Sequence, residues 1–453
     1  MNILIADIYP TDNWRLVKDT AGGYGTGNNF GDTIFSKILN KFVGSMIAMP
    51  PMSSVYIWSI LKNKFHNVDY IRIINNKPPD VDKYDFIILP SSIIAHESEV
   101  RFIKNLIGKD IKIFVTGIFA NVSPKNYITE NSIIIKGEPE KFFLEQNLNN
   151  LNFLETKKKE NLDFTNPLVH NLDELPYPAW DEYSKKYPLK NNFLSCNSKI
   201  AVPILATRGC PYSCFNYCTY PLQQGRKVRF REPEKIVDEI EYWMIGLKTN
   251  KFIFRDPVFS INRNFTIKVC ESIIKRKIKI NFLIETHLNN LDDELINILK
   301  KAGLKMVYVG IESSNTDVLK DINRFTVKND QQYEIIKKLK DNGIITKSMF
   351  MLGNPSDDTK SLNDTIEYAK KLPNELVQFS VFTPYPGTPI FSTFTNQIIE
   401  DQFEKFNQYN LVYNHKNLTD KKLRDFKSKS YKNFYLNLSR IPLIIKYALS
   451  IFR

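Results

Sequence analysis

The sequence predicts an α/β protein with two parallel-sheet units, and three observations lead to this prediction. In residues 1–146, short apolar runs alternate with stretches of helical periodicity, which is typical of a Rossmann-like, doubly wound parallel sheet. A second alternating series, from 199 to 395, contains six strand–helix units, as in a partial (β/α)6 barrel of the TIM type. The tail, 396–453, is helical in pattern and basic. Residues 147–198 are predicted to be a linker.

Composition and charge indicate a folded protein and argue against several classes. The chain has 453 residues, of which 43% are hydrophobic and 13% aromatic, enough for two or three cores and too many for a disordered protein. Lys+Arg number 62 and Asp+Glu 49, a net charge of +13. The basic residues are scattered, so we interpret them as a solvated surface. No basic module or aromatic stripe indicates nucleic acid.

The ends of the chain bear on location. Residues 1–7 resemble a strand and lack a charged leader or cleavage site, and no run of 18 apolar residues predicts a membrane span. We therefore predict a cytoplasmic protein. The last stretch, 441–453, is apolar with Lys446 and Arg453. It is expected either to pack on the barrel or to make peripheral contact with a membrane surface.

The first unit is predicted element by element. Its strands are 3–8, 70–74, 85–90, 112–117 and 132–137, and its clearest helices are 55–65 and 97–107. Parallel sheets of this kind bind ligands at the carboxyl ends of their strands, where the Thr116-Gly117 and Gly137-Glu138 turns should lie. The Gly-rich segment 22–31 does not join a strand directly to a helix. We therefore interpret it as a loop and not as a dinucleotide fingerprint.

The linker and the barrel follow. The segment 172–180 is too rich in proline for a regular helix or strand to be predicted there. Barrel strands are predicted at 201–207, 251–255, 279–285, 306–311, 345–352 and 376–383. Helices are predicted at 233–246, 266–275, 292–302, 316–323, 330–342 and 359–372.

Clustered cysteines indicate a metal site. Three of the five cysteines, Cys210, Cys214 and Cys218, lie within nine residues directly after the first barrel strand. Three thiolates on one compact loop suit an iron–sulfur cluster. Structural zinc is the alternative, and it would need a fourth ligand. Cys196 is the only candidate, because no histidine lies between 171 and 286. Cys270 falls in a predicted helix and is expected in the core.

The segment 207–218, TRGCPYSCFNYC, resembles the signature of the radical S-adenosylmethionine (SAM) superfamily. The resemblance implies a [4Fe–4S] cluster on Cys210, Cys214 and Cys218, whose fourth iron stays open for SAM. The usual spacing leaves two residues between the last two cysteines, whereas this chain has three. Because Tyr217 matches the aromatic residue that normally precedes the last cysteine, the loop is interpreted as lengthened by one residue.

Later segments resemble the same superfamily in order along the barrel: 254–259 (FRDPVF), 285–287 (ETH), 309–313 (VGIES), 351–355 (MLGNP) and 383–389 (TPYPGTP). The resemblance implies SAM contacts from Tyr217, Asp256, Glu285 and Glu312. For Asp256 the alternative is a cap at a strand end. His287 stands where the superfamily usually has arginine, so its role is open.

The whole chain resembles the group with an N-terminal cobalamin-binding domain, which includes radical SAM C-methyltransferases and the anaerobic Mg-protoporphyrin monomethyl ester cyclase. The segments that carry this likeness are 50–52, 115–117, 136–139, 175–180 and 434–435. It implies cobalamin contacts from Thr116, Gly117, Gly137 and Glu138. The cobalt-ligand motif Asp-x-His-x-x-Gly is absent, since no histidine follows the first strand until His66. Cobalamin binding is therefore left open.

The leading functional hypothesis is a radical SAM enzyme, with cobalamin-dependent methylation of an unactivated carbon as the reaction. The first alternative is radical cyclisation or rearrangement of a lipid, isoprenoid or tetrapyrrole-like substrate without methyl transfer. The second is a non-catalytic scaffold with a degenerate cluster site. We expect a small-molecule or lipid-like substrate and an electron donor such as flavodoxin or ferredoxin. The sequence identifies neither the substrate nor a catalytic residue beyond the cofactor ligands.

Overall fold

The computed structural model describes residues 1–13, 15–148, 163–165, 168–194, 200–437, 440 and 442. Within these residues the chain forms two six-stranded sheets whose paired strands are all parallel. The first lies in the N-terminal part of the chain and the second in the barrel, so the predicted α/β fold is confirmed. Both Cys196 and nearly all of the apolar stretch 441–453 fall outside the described residues.

The first sheet is doubly wound. Its strands are Asn2–Tyr9, Asn67–Ile74, Phe86–Pro90, Lys112–Thr116, Ser132–Lys136 and Asp163–Thr165, in the spatial order second, first, third, fourth, fifth, sixth. Helices in this part are Ile34–Met46, Met52–Lys62, His96–Lys104, Ile118–Val122 and Pro139–Glu145. The strand order reverses beside the first strand, and ligands of open parallel sheets bind at such switch points.

The first strand is buried on both faces, which explains its unbroken apolar run. Ile3 and Ile5 pack into the core that contains the helix Met52–Lys62. Leu4 and Ile8 point to the opposite face and join a second apolar cluster. Alternation of this kind is what a parallel sheet covered on both sides requires.

The second sheet is an open barrel. Barrel strands 1 to 6 are Val202–Ile204, Lys251–Phe254, Asn281–Thr286, Leu304–Glu312, Ile345–Leu352 and Leu376–Val381, paired in that order. Helices after residue 199 are Tyr220–Gln224, Pro233–Gly246, Arg263–Lys275, Asp293–Ala302, Thr316–Asp321, Asn329–Asp341, Thr359–Lys371, Pro389–Phe394 and Asp420–Tyr435. The partial barrel and the helical C-terminal region agree with the prediction.

Side chains cover the free edge of barrel strand 6. The Tyr431 hydroxyl accepts from the Phe379 amide at 2.8 Å and donates to its carbonyl at 3.2 Å. The Tyr435 hydroxyl does the same for Val377, at 3.3 Å each way. The helix Asp420–Tyr435 therefore satisfies backbone groups that an edge strand would otherwise leave open to another chain.

The predicted linker contains regular structure where it is described. A helix runs from Trp180 to Lys186, although the proline-rich phrase ending at Trp180 was predicted to be irregular. The prolines stop at Pro178, ahead of the first helical turn, where a missing N–H costs no hydrogen bond. Trp180 is fully buried, and its Nε1 donates to the Pro203 carbonyl at 3.1 Å. No helix in the described residues is long and apolar enough to span a membrane.

Buried ion pairs join the two sheets. Glu138, after the fifth strand of the first sheet, accepts from both terminal nitrogens of Arg229 at 2.7 and 2.8 Å. Arg208, just before the cysteine loop, lies 3.4 Å from Glu138 and 3.0 Å from Glu140. Arg255, after barrel strand 2, pairs with Asp19 at 3.2 Å. These contacts fix the first sheet against the end of the barrel that carries the cysteines.

Candidate active site

The cysteine loop begins at Gly209, after barrel strand 1 and the two-residue strand Thr207–Arg208. Its residues 213–216 form a 3-10 turn, and the Cys218 amide donates to the Cys214 carbonyl at 2.9 Å. Cys214 and Cys218 therefore lie on the same side of one helical turn. The extra residue between them lies within this turn.

The three thiols share one electrostatic environment. None of them forms a disulfide. A hydrogen bond from the Cys218 thiol, aided by Arg324, lowers the pKa of Cys214 to about 7. Burial raises the pKa of Cys210 to about 11. In the described residues no group of His, Cys, Asp or Glu is arranged to hold a single metal ion. In a cubane each thiolate ligates a different iron, and three thiols around one opening are the donor set that such a cluster takes.

A cavity of about 360 Å³ extends from the three thiols into the barrel. This volume lies within the range of small-molecule sites. The first-sheet side of its wall comes from the loop after the first strand, including Val17, Thr20, Thr26, Asn28 and Phe30. The glycine-rich segment therefore contributes to the cavity, as an ordered loop between the sheet and the barrel.

Three of the four predicted SAM contacts reach this cavity. Tyr217, Glu285 and Glu312 line it. Asp256 does not. Its carboxylate accepts from the Ala206 amide at 3.1 Å and from the Thr207 amide, and burial raises its pKa to about 6. This geometry favours the strand-end alternative for Asp256, whose carboxylate holds the residues that lead into the cysteine loop.

Arg324 is a site residue that the sequence reasoning missed. Its Nη1 lies 4.0 Å from the Cys214 sulfur, its Nη2 donates to the Gly310 carbonyl at 2.9 Å, and the Glu312 carboxylate is 3.5 Å away. Burial raises the pKa of Glu312, and Arg324 opposes that rise. Glu312 follows a register shift in barrel strand 4 and has a φ of 65°. Local backbone strain thus holds its carboxylate between the guanidinium and the cavity.

The four residues predicted to contact cobalamin do not line the large cavity. Thr116 is buried at a strand end, and a Cβ at Gly117 would lie 2.6 Å from the Ser91 carbonyl oxygen. Gly137 forms a turn at φ 80°, and Glu138 is committed to the arginines described above. These residues shape the edge of the first sheet. Facing the cavity instead are residues of the 17–30 loop, which offers no histidine to a cobalt ion.

The crevice at the switch point of the first sheet is filled by the chain itself. The Lys18 ammonium donates to Glu99 at 2.9 Å and lies 3.4 Å from Asp7. Tyr24 packs against Phe119 and Tyr385, with ring centroids 6.1 and 4.9 Å apart. The open space therefore lies between the sheet and the barrel, and not within the sheet's own crevice.

Comparison with known proteins identifies the class. Residues 204–369 match the family model described as the radical SAM superfamily. The barrel is a radical SAM domain, and the predicted membership of this superfamily is confirmed. Its enzymes use a [4Fe–4S] cluster and SAM, so the predicted enzyme class and these two cofactors are confirmed with it.

Relatives are found among methyltransferases and a cyclase. The chain is 24% identical over 418 residues to an uncharacterized methyltransferase of Pyrococcus horikoshii, covering 85% of this chain and 88% of that protein. It is 29% identical over 275 residues to the anaerobic magnesium-protoporphyrin IX monomethyl ester cyclase of Rubrivivax gelatinosus, and the match covers 60% of this chain and 48% of the cyclase. It is 28% identical over 237 residues to the bacteriochlorophyllide d C-12(1)-methyltransferase of Chlorobaculum tepidum, and the match covers 52% of this chain and 51% of that methyltransferase. The chain thus spans about half the length of the last two.

A solved structure shares the whole architecture. OxsB, a cobalamin-dependent SAM radical enzyme determined with aqua-cobalamin and SAM bound, aligns with a TM-score of 0.65 at 14% identity. The alignment covers 100% of this chain and 72% of OxsB. This likeness shows the fold, a parallel sheet followed by a radical SAM barrel.

Gly209→Ala is expected to reduce iron binding. Gly209 has a φ of +98°, and a Cβ there would lie 2.3 Å from the Lys227 carbonyl oxygen. Strain of about 1–3 kcal/mol would be relieved by moving the cysteine loop. We expect less iron per chain than in wild type after identical anaerobic reconstitution. Gly246→Ala is the control, because its Cβ would meet nothing closer than Trp243 at 3.9 Å. Equal iron in the two variants would contradict the expectation.

Proposed function

We propose that the protein cleaves SAM reductively at a [4Fe–4S] cluster held by Cys210, Cys214 and Cys218, and uses the resulting radical to methylate an unactivated carbon with the help of cobalamin. The observation that supports this most is the placement of three free thiols at one end of a cavity that a radical SAM barrel encloses. The named methyltransferases among the relatives support the choice of methylation.

The chain's own residues have separate roles in this proposal. A reduced cluster of this type supplies the electron that breaks SAM and yields a carbon radical. Arg324 places a positive charge beside Cys214 and Glu312, where it stabilises thiolate and carboxylate in a buried site. Glu312 and Tyr217 would bind SAM from the cavity wall. The ion pairs between the first sheet and the barrel hold the sheet against the end of the barrel that carries the cysteines.

The alternatives differ in their support. Cyclisation without methyl transfer is favoured by the likeness to the magnesium-protoporphyrin cyclase. A non-catalytic scaffold is less favoured, because the three thiols remain buried or half-buried around an open cavity and not in a collapsed loop. A small-molecule substrate fits the cavity volume. A flavodoxin or ferredoxin donor, a cytoplasmic location and membrane contact through the 441–453 stretch stay predictions.

The test is SAM cleavage by the reconstituted protein. We expect anaerobically reconstituted wild type to bind about four irons per chain and to release 5′-deoxyadenosine from SAM when a strong reductant is added. The variant Cys210→Ala/Cys214→Ala/Cys218→Ala is expected to do neither, since it lacks every proposed cluster ligand. Cys270→Ala, which removes a fully buried helical cysteine away from the loop, controls for loss of thiol alone. Wild type without a cluster would refute the proposal in favour of the scaffold.

Cobalamin and methylation are tested in the same preparation. Binding of hydroxocobalamin is followed by equilibrium dialysis, and transfer of the methyl group is followed with methyl-labelled SAM. Binding together with labelled product supports methylation. A protein that makes 5′-deoxyadenosine but binds no cobalamin would favour the cyclisation alternative.

A further inference from the structure

The deep end of the cavity contains a layer of charged side chains with no role in the proposal so far. Barrel strands 3, 4 and 5 pair in register so that Glu285 lies beside Tyr308, and Tyr308 beside Lys347. All three side chains line the cavity. Three adjacent strands thus place a carboxylate, a phenol and an ammonium at one level of the barrel.

In the described residues, neither the Lys347 ammonium nor the Glu285 carboxylate has a hydrogen-bond or ion-pair partner. The ammonium lies 4.4 Å from the centre of the Tyr308 ring. Arg255, whose charge acts on both groups, is already committed to the Asp19 carboxylate at 3.2 Å and the Asp19 carbonyl at 2.8 Å. A half-buried charge without a partner is costly, so this layer has unused capacity for a polar ligand.

The electrostatics of the layer agree with an unfilled site. Burial, reinforced by Arg255 and opposed by Glu285, lowers the pKa of Lys347 to about 8. Burial also raises the pKa of Glu285. Burial thus disfavours the charged form of each group, and a ligand that supplied a counter-charge would favour it.

Lys347 is the member of the layer that lies farther from the cysteines, because the charges of Glu312 and Arg324 act on Glu285 and are not among those that act on Lys347. Lys347 precedes Met351, another lining residue, by four positions on barrel strand 5, a separation of roughly 13 Å along a strand. Glu312 and Arg324 occupy the cysteine end. The wall beside this layer is apolar: Leu376 pairs with Lys347, and Ile47, Met49 and Phe193 pack in the same cluster as Tyr308 and Leu376. A molecule bound to Lys347 would therefore have its polar end next to apolar side chains.

We propose that this layer recognises the polar end of the substrate: Lys347 binds a carboxylate, and Glu285 accepts a hydrogen bond from a hydroxyl or amino group on the neighbouring carbon. The substrate class is thus an amphiphilic hydroxy acid or amino acid whose apolar part packs on the side chains beside Lys347. The inference rests on the proposed function for its meaning as a substrate site. The binding site itself is tested without that function.

The test is equilibrium binding to reconstituted holoprotein, without reductant, of four probes of equal chain length: decanoate, α-hydroxydecanoate, decanol and decylamine. We expect decanoate to bind about tenfold tighter than decanol, the usual scale of a hydrogen bond to a charged group, and decylamine to bind no tighter than decanol. α-Hydroxydecanoate should bind tighter than decanoate. Decylamine binding as tightly as decanoate would overturn the proposal.

Variants assign the effect to each group. Lys347→Met should lose the preference for decanoate over decanol, and Glu285→Gln should lose the preference for the α-hydroxy acid. Lys338→Met, which removes an exposed lysine paired with Asp293 on the outer helices, is the matched control and should change neither. Unchanged decanoate binding in Lys347→Met would refute the proposal.

A pH series keeps the test decisive if Lys347→Met does not fold. Decanoate binding to wild type should weaken as pH rises through about 8, where Lys347 loses its proton beside Glu285, Arg255 and Tyr308. In Lys347→Arg the affinity should stay constant over this range, because arginine remains charged. A wild type that shows the probe preferences but makes no 5′-deoxyadenosine would refute the proposed function and leave the site standing.

Discussion

Arg324→Met is expected to lower the rate of SAM cleavage by roughly 10²–10³-fold, the scale of removing one pre-organised polar group from an active site. Arg324 lies 4.0 Å from the Cys214 sulfur and 3.5 Å from Glu312, and it also donates to the Gly310 carbonyl. Methionine keeps an unbranched apolar stem and removes the guanidinium with its charge. The Glu312 carboxylate would then be buried beside a cluster-bound thiolate with no compensating cation.

The measurement separates catalysis from assembly. Iron per chain should stay near the wild-type value in Arg324→Met, while release of 5′-deoxyadenosine falls. Arg226→Met is the matched control, since Arg226 donates to the Pro211 carbonyl on the exposed side of the same loop. Wild-type SAM cleavage by Arg324→Met would show that the guanidinium has no part in the chemistry.

Glu138→Gln is expected to lower the free energy of unfolding by about 3–5 kcal/mol, the cost of breaking a buried ion pair from one side. Glutamine preserves the shape of the side chain, but in the described residues Arg229 loses the carboxylate it pairs with, and Arg208 keeps only Glu140. Glu145→Gln is the control. It breaks a half-exposed pair with Lys141 on the same helix and should cost less than about 1 kcal/mol.

The effect should depend on pH with a definite sign. Burial alone would raise the pKa of Glu138, but Arg208 and Arg229 outweigh it and hold the pKa below the ordinary value. The carboxylate therefore stabilises the fold above the ordinary glutamate pKa, and this stabilisation is lost as pH falls through the lowered one. Urea unfolding of wild type and Glu138→Gln should differ most near neutral pH and converge in acid. A constant difference would contradict the ion-pair explanation.

The fold was largely predictable because its signals are local. Ile345–Leu352 was predicted with the observed bounds, since an apolar run between two helices has few alternatives in a parallel barrel. The cysteine loop was predictable for the same reason, as its residues are adjacent in sequence.

The charged layer and the role of Arg324 depend on which residues lie side by side in the fold. The sequence alone does not specify those neighbours. Glu285, Tyr308 and Lys347 are brought to one level only by the register of three strands. Asp256 was assigned to SAM by resemblance, whereas two nearby backbone amides satisfy it. Whether such a carboxylate binds a ligand or accepts from backbone amides depends on loop geometry, which no sequence motif specifies.

The edge of barrel strand 6 that Tyr431 and Tyr435 cover borders the cavity, and we call this edge the seam. Tyr435 and Val377, which form part of that cover, also line the cavity. Parting the seam would break the four hydrogen bonds of Tyr431 and Tyr435 and would leave every strand ladder of the barrel intact. Each such bond contributes only about 1 kcal/mol, and the burial of Tyr431 and Tyr435 supplies the rest of the resistance to opening. Parting this edge would therefore admit a long apolar ligand without opening the cysteine end of the cavity.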